Sequence, residues 1–517
     1  MFSRGTKGSE MSSESELASA NSPMTGPAGS VSLRNSVFAV VIALQFVLVL
    51  VNGSTTMALP GIRDGLGATN SELQWYASLF ALTFSLVLVL AGRLGDLLGT
   101  RRLLMIGFGA LIASWVLSAA SPNIYMLLIA RALQGVAGGV TAPQLSAMIQ
   151  RTFSGHTRTR AFSVFLMFAG GGFMLGQLSA GALTNADLFG AGWRWAYLPF
   201  IPIGLVVWFI AAKVLPATMP GTGGQLDVTG AAVLAIVAFF LMFPLIQGRN
   251  AGWPVWILLM LACSLPLFGA FIRYERNLVR RGGDPLVNPV LFAIRSFRVG
   301  NIITLLVGLL SAAGPIYLIL TIQLGFDRNP LQAAILTCPM PFANMFGSLA
   351  AAPLLRRYGR GAVVIGAVLN ALAAAAVLYV DRSGAGDFKA IHLVPAVALL
   401  GFALGISIAV TIAFVLSEVP HEYAGAASGV QATGLQLAGA IGIAVIGVAY
   451  WGRIDGSEEL SAYIDGINAV MWISIALAAI QAALVILLPR HKAGPNEEYL
   501  LADPELLVMP DLHTDDV

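Results

Sequence analysis

The stretch Gly92-Arg93-Leu94-Gly95-Asp96-Leu97-Leu98-Gly99-Thr100-Arg101-Arg102 lies between two apolar runs, residues 74–91 and 103–120. Each run is long enough to cross a bilayer. A connection this short and this charged must lie in water, so it joins two antiparallel membrane helices as a tight hairpin. Gly92, Gly95 and Gly99 let the backbone turn and the helices approach closely. Asp96 supplies one negative charge beside Arg93, Arg101 and Arg102, a set that can form and break ion pairs as helix ends move.

Outward from this hairpin the pattern repeats along the chain. A span needs about 20 apolar residues. Fourteen segments meet that need: 37–58, 74–91, 103–120, 125–147, 161–184, 195–213, 228–247, 254–273, 298–320, 331–354, 361–380, 392–415, 426–449 and 466–489. The chain of 517 residues is 57% hydrophobic and 11% charged. Soluble domains carry roughly a quarter charged residues, so lipid solvates most of this chain. An all-α membrane protein is expected, embedded in the lipid bilayer. A net charge of +3 is too small to argue for a nucleic-acid partner. Cys263 and Cys338 both fall inside spans, which argues against a structural disulfide. The first 35 residues are polar and rich in serine and glycine, and are expected to be a disordered cytoplasmic N-terminus without a cleavable signal. The acidic tail, 490–517, reads as a solvated end.

Basic residues set the orientation. With the N-terminus inside, the inner segments hold 21 lysines and arginines and the outer loops seven, with Arg131 inside a span. Both termini are therefore expected in the cytoplasm. A weak internal repeat supports two related halves: Ala352-Pro353-Leu354-Leu355-Arg356-Arg357-Tyr358-Gly359-Arg360 echoes the Asp96 loop, with Arg356 where the aspartate stood. The expected organisation is a six-helix half at 36–214, two extra helices with a cytoplasmic loop at 215–297, and a second six-helix half at 298–489. Transporters are often built from such repeats, with the substrate site near the midplane between them.

Soluble-type catalysis is not indicated. None of the four lysines follows a glycine, so there is no Walker A nucleotide loop. The five histidines stand apart from one another and from the cysteines, and no G-x-S-x-G elbow occurs. No catalytic residue, metal or cofactor is expected. Polar groups within spans carry the remaining interest. Arg131 lies about two turns inside the fourth span, roughly 10 Å deep at 1.5 Å per residue. An arginine there either snorkels to the interface or faces protein and water, because exposure to lipid costs a few kcal/mol. Every Asp and Glu falls away from the midplane; Asp96, Asp227 and Glu418 sit at cytoplasmic span ends. Gln45, Asn52, Gln134, Gln177, Asn301, Asn344, Asn370, Gln431 and Gln436 remain inside spans, either as helix-to-helix hydrogen-bond groups or as cavity lining.

The Asp96 hairpin resembles the G-x-L-x-D-x-x-G-x-[RK]-[RK] signature of the major facilitator superfamily of transporters. Arg131-Ala132-Leu133-Gln134-Gly135 with Gly139 resembles its helix-4 motif, which favours a buried charge lining the central cavity for Arg131 and Gln134. Gly170 to Gly181 is similar to the G-P-x-x-G-G antiporter motif of exporters, with Gln177 replacing the proline and Ala180 a glycine. Gly172 and Gly176 suit close packing equally well. Trp193-Arg194-Trp195 with Pro202 and Gly204 resembles the sixth-span signature of the fourteen-helix drug:proton antiporter family, with Phe200 replacing its asparagine. Read alone, it is an interfacial aromatic anchor. Leu59-Pro60, Trp253, Glu275, Pro285-Leu286, Gly325, Pro330, Ala424 to Gly429, Gly439 and Gly442 extend the match over residues 37 to 489.

The resemblance implies the major facilitator fold and export of amphipathic, drug-like or antibiotic compounds from a bacterial cytoplasm by alternating access, across the inner membrane and as a monomer. Gly92, Asp96, Gly99, Arg101 and Arg102 would form its gating motif. Substrate-cavity candidates are Asn52, Met167, Gln177, Asn301, Asn344 and Gln431. Protons are a candidate second partner, yet the family's aspartate in the first span is Val51 here. That leaves Asp227 first and Asp96 second as coupling candidates. The alternatives are a facilitator or importer of a small metabolite without tight proton coupling, and a membrane sensor that has lost transport.

Overall fold

In the computed structural model the described residues are 29–217, 227–283, 285–383, 390–420, 423–454 and 459–487; residues 29–32, 89, 96, 155, 156, 159, 188, 380–383, 390, 424 and 425 are described by backbone alone. Both tails and most of the 382–390 loop lie outside them. Fourteen long helices organise the chain: α1 Gly29–Met57, α2 Asn70–Leu98, α3 Thr100–Ala119, α4 Ile124–Thr152, α5 Gly155–Ala186, α6 Phe200–Val214, α7 Val228–Gln247, α8 Val255–Arg280, α9 Arg295–Leu320, α10 Pro339–Tyr358, α11 Gly361–Ser383, α12 Val394–Leu416, α13 Ala424–Ile454 and α14 Leu460–Leu484. Among the described residues, thirteen helical segments are long and apolar enough to cross a membrane. The remaining member of the expected fourteen, α2, is one continuous helix of 29 residues.

Local chemistry explains the boundaries. Thr69 and Glu72 cap α2 reciprocally: the Thr69 side chain accepts from the Glu72 amide at 3.3 Å, and the Glu72 carboxylate accepts from the Thr69 amide at 2.7 Å. At the other end of α2, Gly99 alone separates it from α3, at φ 87°, a conformation open to glycine at little cost. The expected hairpin is therefore a one-residue hinge. Asn123 caps α4 by accepting from the Met126 amide at 3.0 Å. Helix α1 starts at Gly29, earlier than the apolar run and inside the segment expected to be disordered. The expected span 331–354 is two helices, Pro330–Thr337 and α10, interrupted at Cys338, where Pro339 has no amide hydrogen to continue the ladder and starts α10 in its first turn.

One packing pattern occurs twice along the chain, in the first six and in the last six of these helices. In the first half α1 packs on α5 and α6, α4 on α2 and α3, and α3 on α6. In the second half the equivalent pairs recur: α9 with α13 and α14, α12 with α10 and α11, and α11 with α14. In lipid such packing depends on close backbone approach through small residues. A Cβ on Gly176 would lie 2.8 Å from the Leu50 carbonyl carbon and 3.0 Å from the Ser54 amide of α1. A Cβ on Gly442 of α13 would lie 2.7 Å from Leu309 Cα of α9. Glycines thus hold equivalent seams in both halves. Between the halves, α2 packs on α13, while α5 packs on Pro330–Thr337 and α10. Helix α7 covers the α2–α13 seam, and α8 packs on α7 with Val255, Trp256, Leu259, Leu265 and Phe268 exposed.

Candidate functional site

The two halves close at the end opposite the Asp96 hairpin. Gln74 of α2 donates to the Tyr317 hydroxyl of α9 at 3.2 Å, and Tyr317 donates in turn to the Ile443 carbonyl of α13. Arg63 donates to the Tyr463 hydroxyl at 3.4 Å. Gly181 of α5 is pressed against Pro330 and Ala334, where a Cβ would come within 2.8 Å of each. One continuous apolar cluster joins Leu59, Ile62 and Tyr76 of the first half to Tyr317, Ile446 and Tyr450 of the second. Toward the basic end the second half keeps its own cluster around Ile303, Leu355 and Phe414. A Cβ on Gly170, Gly171 or Gly429 would meet no neighbour within 4 Å, and Leu166, Met167 and Phe168 are exposed. Ties between the halves are thus described at the end opposite the hairpin, while open space lies beside Gly429 near the basic end and beside Gly170 and Gly171 at mid-helix.

The Asp96 hairpin sits at the basic end. The Asp96 side chain lies outside the described residues. Gly95 packs on α4, where a Cβ would approach the Gln144 amide carbon at 2.8 Å, and Gln144 donates to the Ala91 carbonyl at 2.7 Å. Arg101 donates to the Ala212 carbonyl at the end of α6. Arg93 donates to the Pro285 carbonyl at 2.9 Å, tying the hairpin to the loop after the inserted helices. Arg102 is exposed, and a Cβ on Gly92 would meet no neighbour within 4 Å.

Arg131 is buried, so the snorkelling alternative is excluded. Its guanidinium lies 4.8 Å from the Tyr76 ring centroid and 5.0 Å from that of Phe80. It donates to the Tyr76 carbonyl at 3.3 Å and to Gln134 Oε1 at 3.2 Å. The charge is thus held by two aromatic faces and two neutral acceptors inside the first half.

The six cavity candidates are spread over α1, α5, α9, α10 and α13, with no hydrogen bond joining any two of them among the described residues. Asn52 donates to the Leu48 carbonyl at 3.0 Å and Asn301 to the Phe297 carbonyl at 2.8 Å, each within its own helix. Gln177 is buried with its Oε1 unpartnered, and Gln431 is buried. Asn344 is half-buried, and Met167 is exposed. Of the polar residues offered as bridges between helices, Asn370 is one: it donates to Ser407 Oγ of α12 at 3.0 Å. Asp227 is the N-cap of α7, accepting from the Gly230 amide at 2.7 Å.

Trp193 is buried rather than interfacial, packed on Gly61 and Gly65. Arg194 stacks on it at 4.6 Å and donates to the Ala119 and Ser121 carbonyls, capping the end of α3. Sequence reasoning missed the buried tyrosines of the sealed end. Tyr76 and Tyr197 share a 2.6 Å hydrogen bond, and Tyr317 stacks on Tyr450 at 4.6 Å.

The model of a family described as the Major Facilitator Superfamily matches residues 41–443. The chain belongs to this superfamily. A probable actinorhodin transporter of Streptomyces coelicolor is 33% identical over 411 residues, 79% of this chain and 71% of that protein. A puromycin resistance protein of Streptomyces alboniger is 30% identical, over 85% of this chain and 87% of its own. A cephamycin export protein of Amycolatopsis lactamdurans is 29% identical, over 89% and 94%. The crystal structure of a peptide transporter in complex with sulfate superposes with a TM-score of 0.65 at 15% identity, covering 92% of this chain and 99% of that one. This superfamily member is a membrane transporter of the drug-exporter type, with relatives that export or confer resistance to antibiotics.

Proposed function

We propose that the protein exports amphipathic organic compounds, antibiotics among them, from the bacterial cytoplasm across the inner membrane by alternating access. The observation that carries this reading is the closure between the halves at the end opposite the hairpin, with open space beside Gly170, Gly171 and Gly429. The positive-inside rule places the basic end in the cytoplasm, with both termini. The state described is then inward-open, with the cavity offered to solutes inside the cell.

The cleft walls suit such cargo. The apolar side chain of Met167, which is exposed, would meet an aromatic or aliphatic body, while scattered amides at Asn52, Asn301, Asn344 and Gln431 would orient its polar groups. Uphill export needs an energy source, and without a nucleotide loop that source is an ion gradient. The protein carries its substrate unchanged and acts as a monomer. A second reading, facilitated exchange without proton coupling, draws on Val51, which stands where the family carries an acid.

Counterflow into proteoliposomes, with a panel of dyes and antibiotics loaded inside, tests the reading. Substrate-specific exchange that needs the open-end residues supports it. Absence of exchange for the whole panel, with exchange of a sugar or amino acid instead, overturns it.

A further inference from the structure

Two acidic side chains face each other at the basic end of the inserted helix pair, outside the cleft. Asp227, at the start of α7, and Glu275, near the end of α8, are both more than nine-tenths buried. Asp227 is more than a helix cap. Its Oδ1 accepts from the Gly230 amide and, at 2.9 Å, from the Tyr274 hydroxyl, and its Oδ2 accepts from the Leu286 amide at 3.2 Å. Glu275 Oε2 accepts from the Val287 amide at 3.2 Å. The second oxygen of Glu275, Oε1, is buried without a donor. A Cβ on Gly230 would lie 2.6 Å from that oxygen and 2.8 Å from Asp227 Cγ, so both carboxyl groups converge on this glycine.

Two ionised carboxylates are both acceptors and cannot hydrogen-bond to each other. Buried side by side, they repel, and a single proton placed between them converts the repulsion into a hydrogen bond and satisfies Oε1. We propose that Asp227 and Glu275 form a one-proton site that latches the 285–287 loop to the gating hairpin while the basic end is open.

The latch follows from what each carboxyl holds. Asp227 fixes the Leu286 amide and Glu275 the Val287 amide. Between these anchors and the hairpin, the Pro285 carbonyl receives Arg93. The Leu286 side chain packs with Ala231, Leu234 and Phe271 of the insert and with Leu86 and Leu90 of α2. Val287 bridges that cluster to one formed by Leu291, Phe297 and Val415 of the second half. Of the charged and titratable groups on the packed elements, Tyr274 and Arg93 face the site as described. Arg295 and Arg298 turn instead to the Leu487 and Phe292 carbonyls. Removing the proton leaves two adjacent buried charges and one fewer hydrogen bond. The pair separates, the loop loosens, and Arg93 is released.

The test uses the full-length protein in lipid nanodiscs and does not require transport, so failure of the export reading would leave it untouched. Infrared difference titration should show one protonated carboxyl band that disappears in a single-proton step as pH rises and is absent in Glu275→Gln. Spin labels at the exposed positions Leu98 and Val290 report the latch. Their distance distribution should be narrow at low pH and broaden over the same pH range as the band loss. Glu275→Gln, which supplies a neutral donor, should stay narrow throughout, and Glu275→Ala should be broad throughout. A band unchanged in Glu275→Gln, or broadening with the wild-type pH profile in that variant, overturns the proposal. If Glu275→Gln does not fold, the wild-type titration still decides: no carboxyl band, or one that titrates without the distance change, overturns it.

Discussion

Gly447→Ala should pry open the sealed end of the cleft. Gly447 lies on α13 where Gln74 of α2 meets Tyr317 of α9. A Cβ there would overlap both Gln74 Nε2 and the Tyr317 hydroxyl, and would lie 2.9 Å from Gln74 Cδ. The Gln74 tip can swing away, losing its hydrogen bond to Tyr317. The Tyr317 ring cannot swing so freely, being buried and stacked on Tyr450. Moving it breaks the bond to the Ile443 carbonyl as well. Two hydrogen bonds at about 1 kcal/mol each, with part of an aromatic contact worth about 0.5–1 kcal/mol, give roughly 2–3 kcal/mol against the closed arrangement. At 1.4 kcal/mol per decade, the closed-to-open ratio of this end should fall about 30- to 140-fold. Spin labels at Asp64 and Leu460, both exposed and on opposite halves, would read this as a longer distance population. Gly452→Ala is the control, since a Cβ there meets nothing within 4 Å. Equal distributions in the two variants would refute the reasoning, because the seal would then not depend on the space Gly447 leaves.

Asp96→Asn should insert and fold normally while losing most transport in proteoliposomes; full transport would mean that the hairpin is only a tight turn. Gly176→Val should lower thermal stability in detergent by several kcal/mol, since even a Cβ would crowd the α1 backbone. Gly171→Val, with open space at that position, should change it little; equal losses would disprove the packing role. Arg131→Lys should cost about 1–2 kcal/mol, because an ammonium cannot lie flat between Tyr76 and Phe80 while keeping both hydrogen bonds; an unchanged melting temperature would contradict this. Single cysteines at 185–192 should react with an impermeant reagent applied outside, and those at 152–158 and 276–284 should be silent; the reverse pattern would invert the orientation.

The hairpin was readable because charge and glycine packed into eleven residues leave the backbone few options. The glycine seams were equally plain: Gly172 and Gly176 announce close approach, and their partners on α1 follow once two six-helix halves are assumed. Trp193 misleads for a physical reason. An indole beside an arginine at the start of a span has the same composition whether it anchors in headgroups or, as here, folds back onto Gly61 and Gly65. Gln74, Tyr76, Tyr197 and Tyr317 were invisible as a seal because polar aromatics at span ends are common at any interface. Gln74 meets Tyr317 only where α2 lies against α9 and α13, and Tyr76 meets Tyr197 where the chain turns into α6. Glu275 could be noticed as a family match, but nothing in spacing links it to Asp227. The link is made by the return of α8 alongside α7.

The inserted pair occupies a place where it would feel any relative movement of the two six-helix sets. Helix α7 touches both α2 and α13, one from each half. At the sealed end it is tied to both: Ser71 of α2 donates to the Ile246 carbonyl at 2.9 Å, Asn250 donates back to Ser71, and Arg249 donates to the Trp451 carbonyl of α13. At the open end the direct tie described is to the first half, through Arg93 and Pro285. Beyond it the chain continues through Val287 and Pro289–Ala293 into α9 of the second half. A movement that closes the basic end must therefore pass through this loop, since its two sides are fixed to different halves. The buried carboxyl pair that grips the Leu286 and Val287 amides stands at the point where that movement would be felt first.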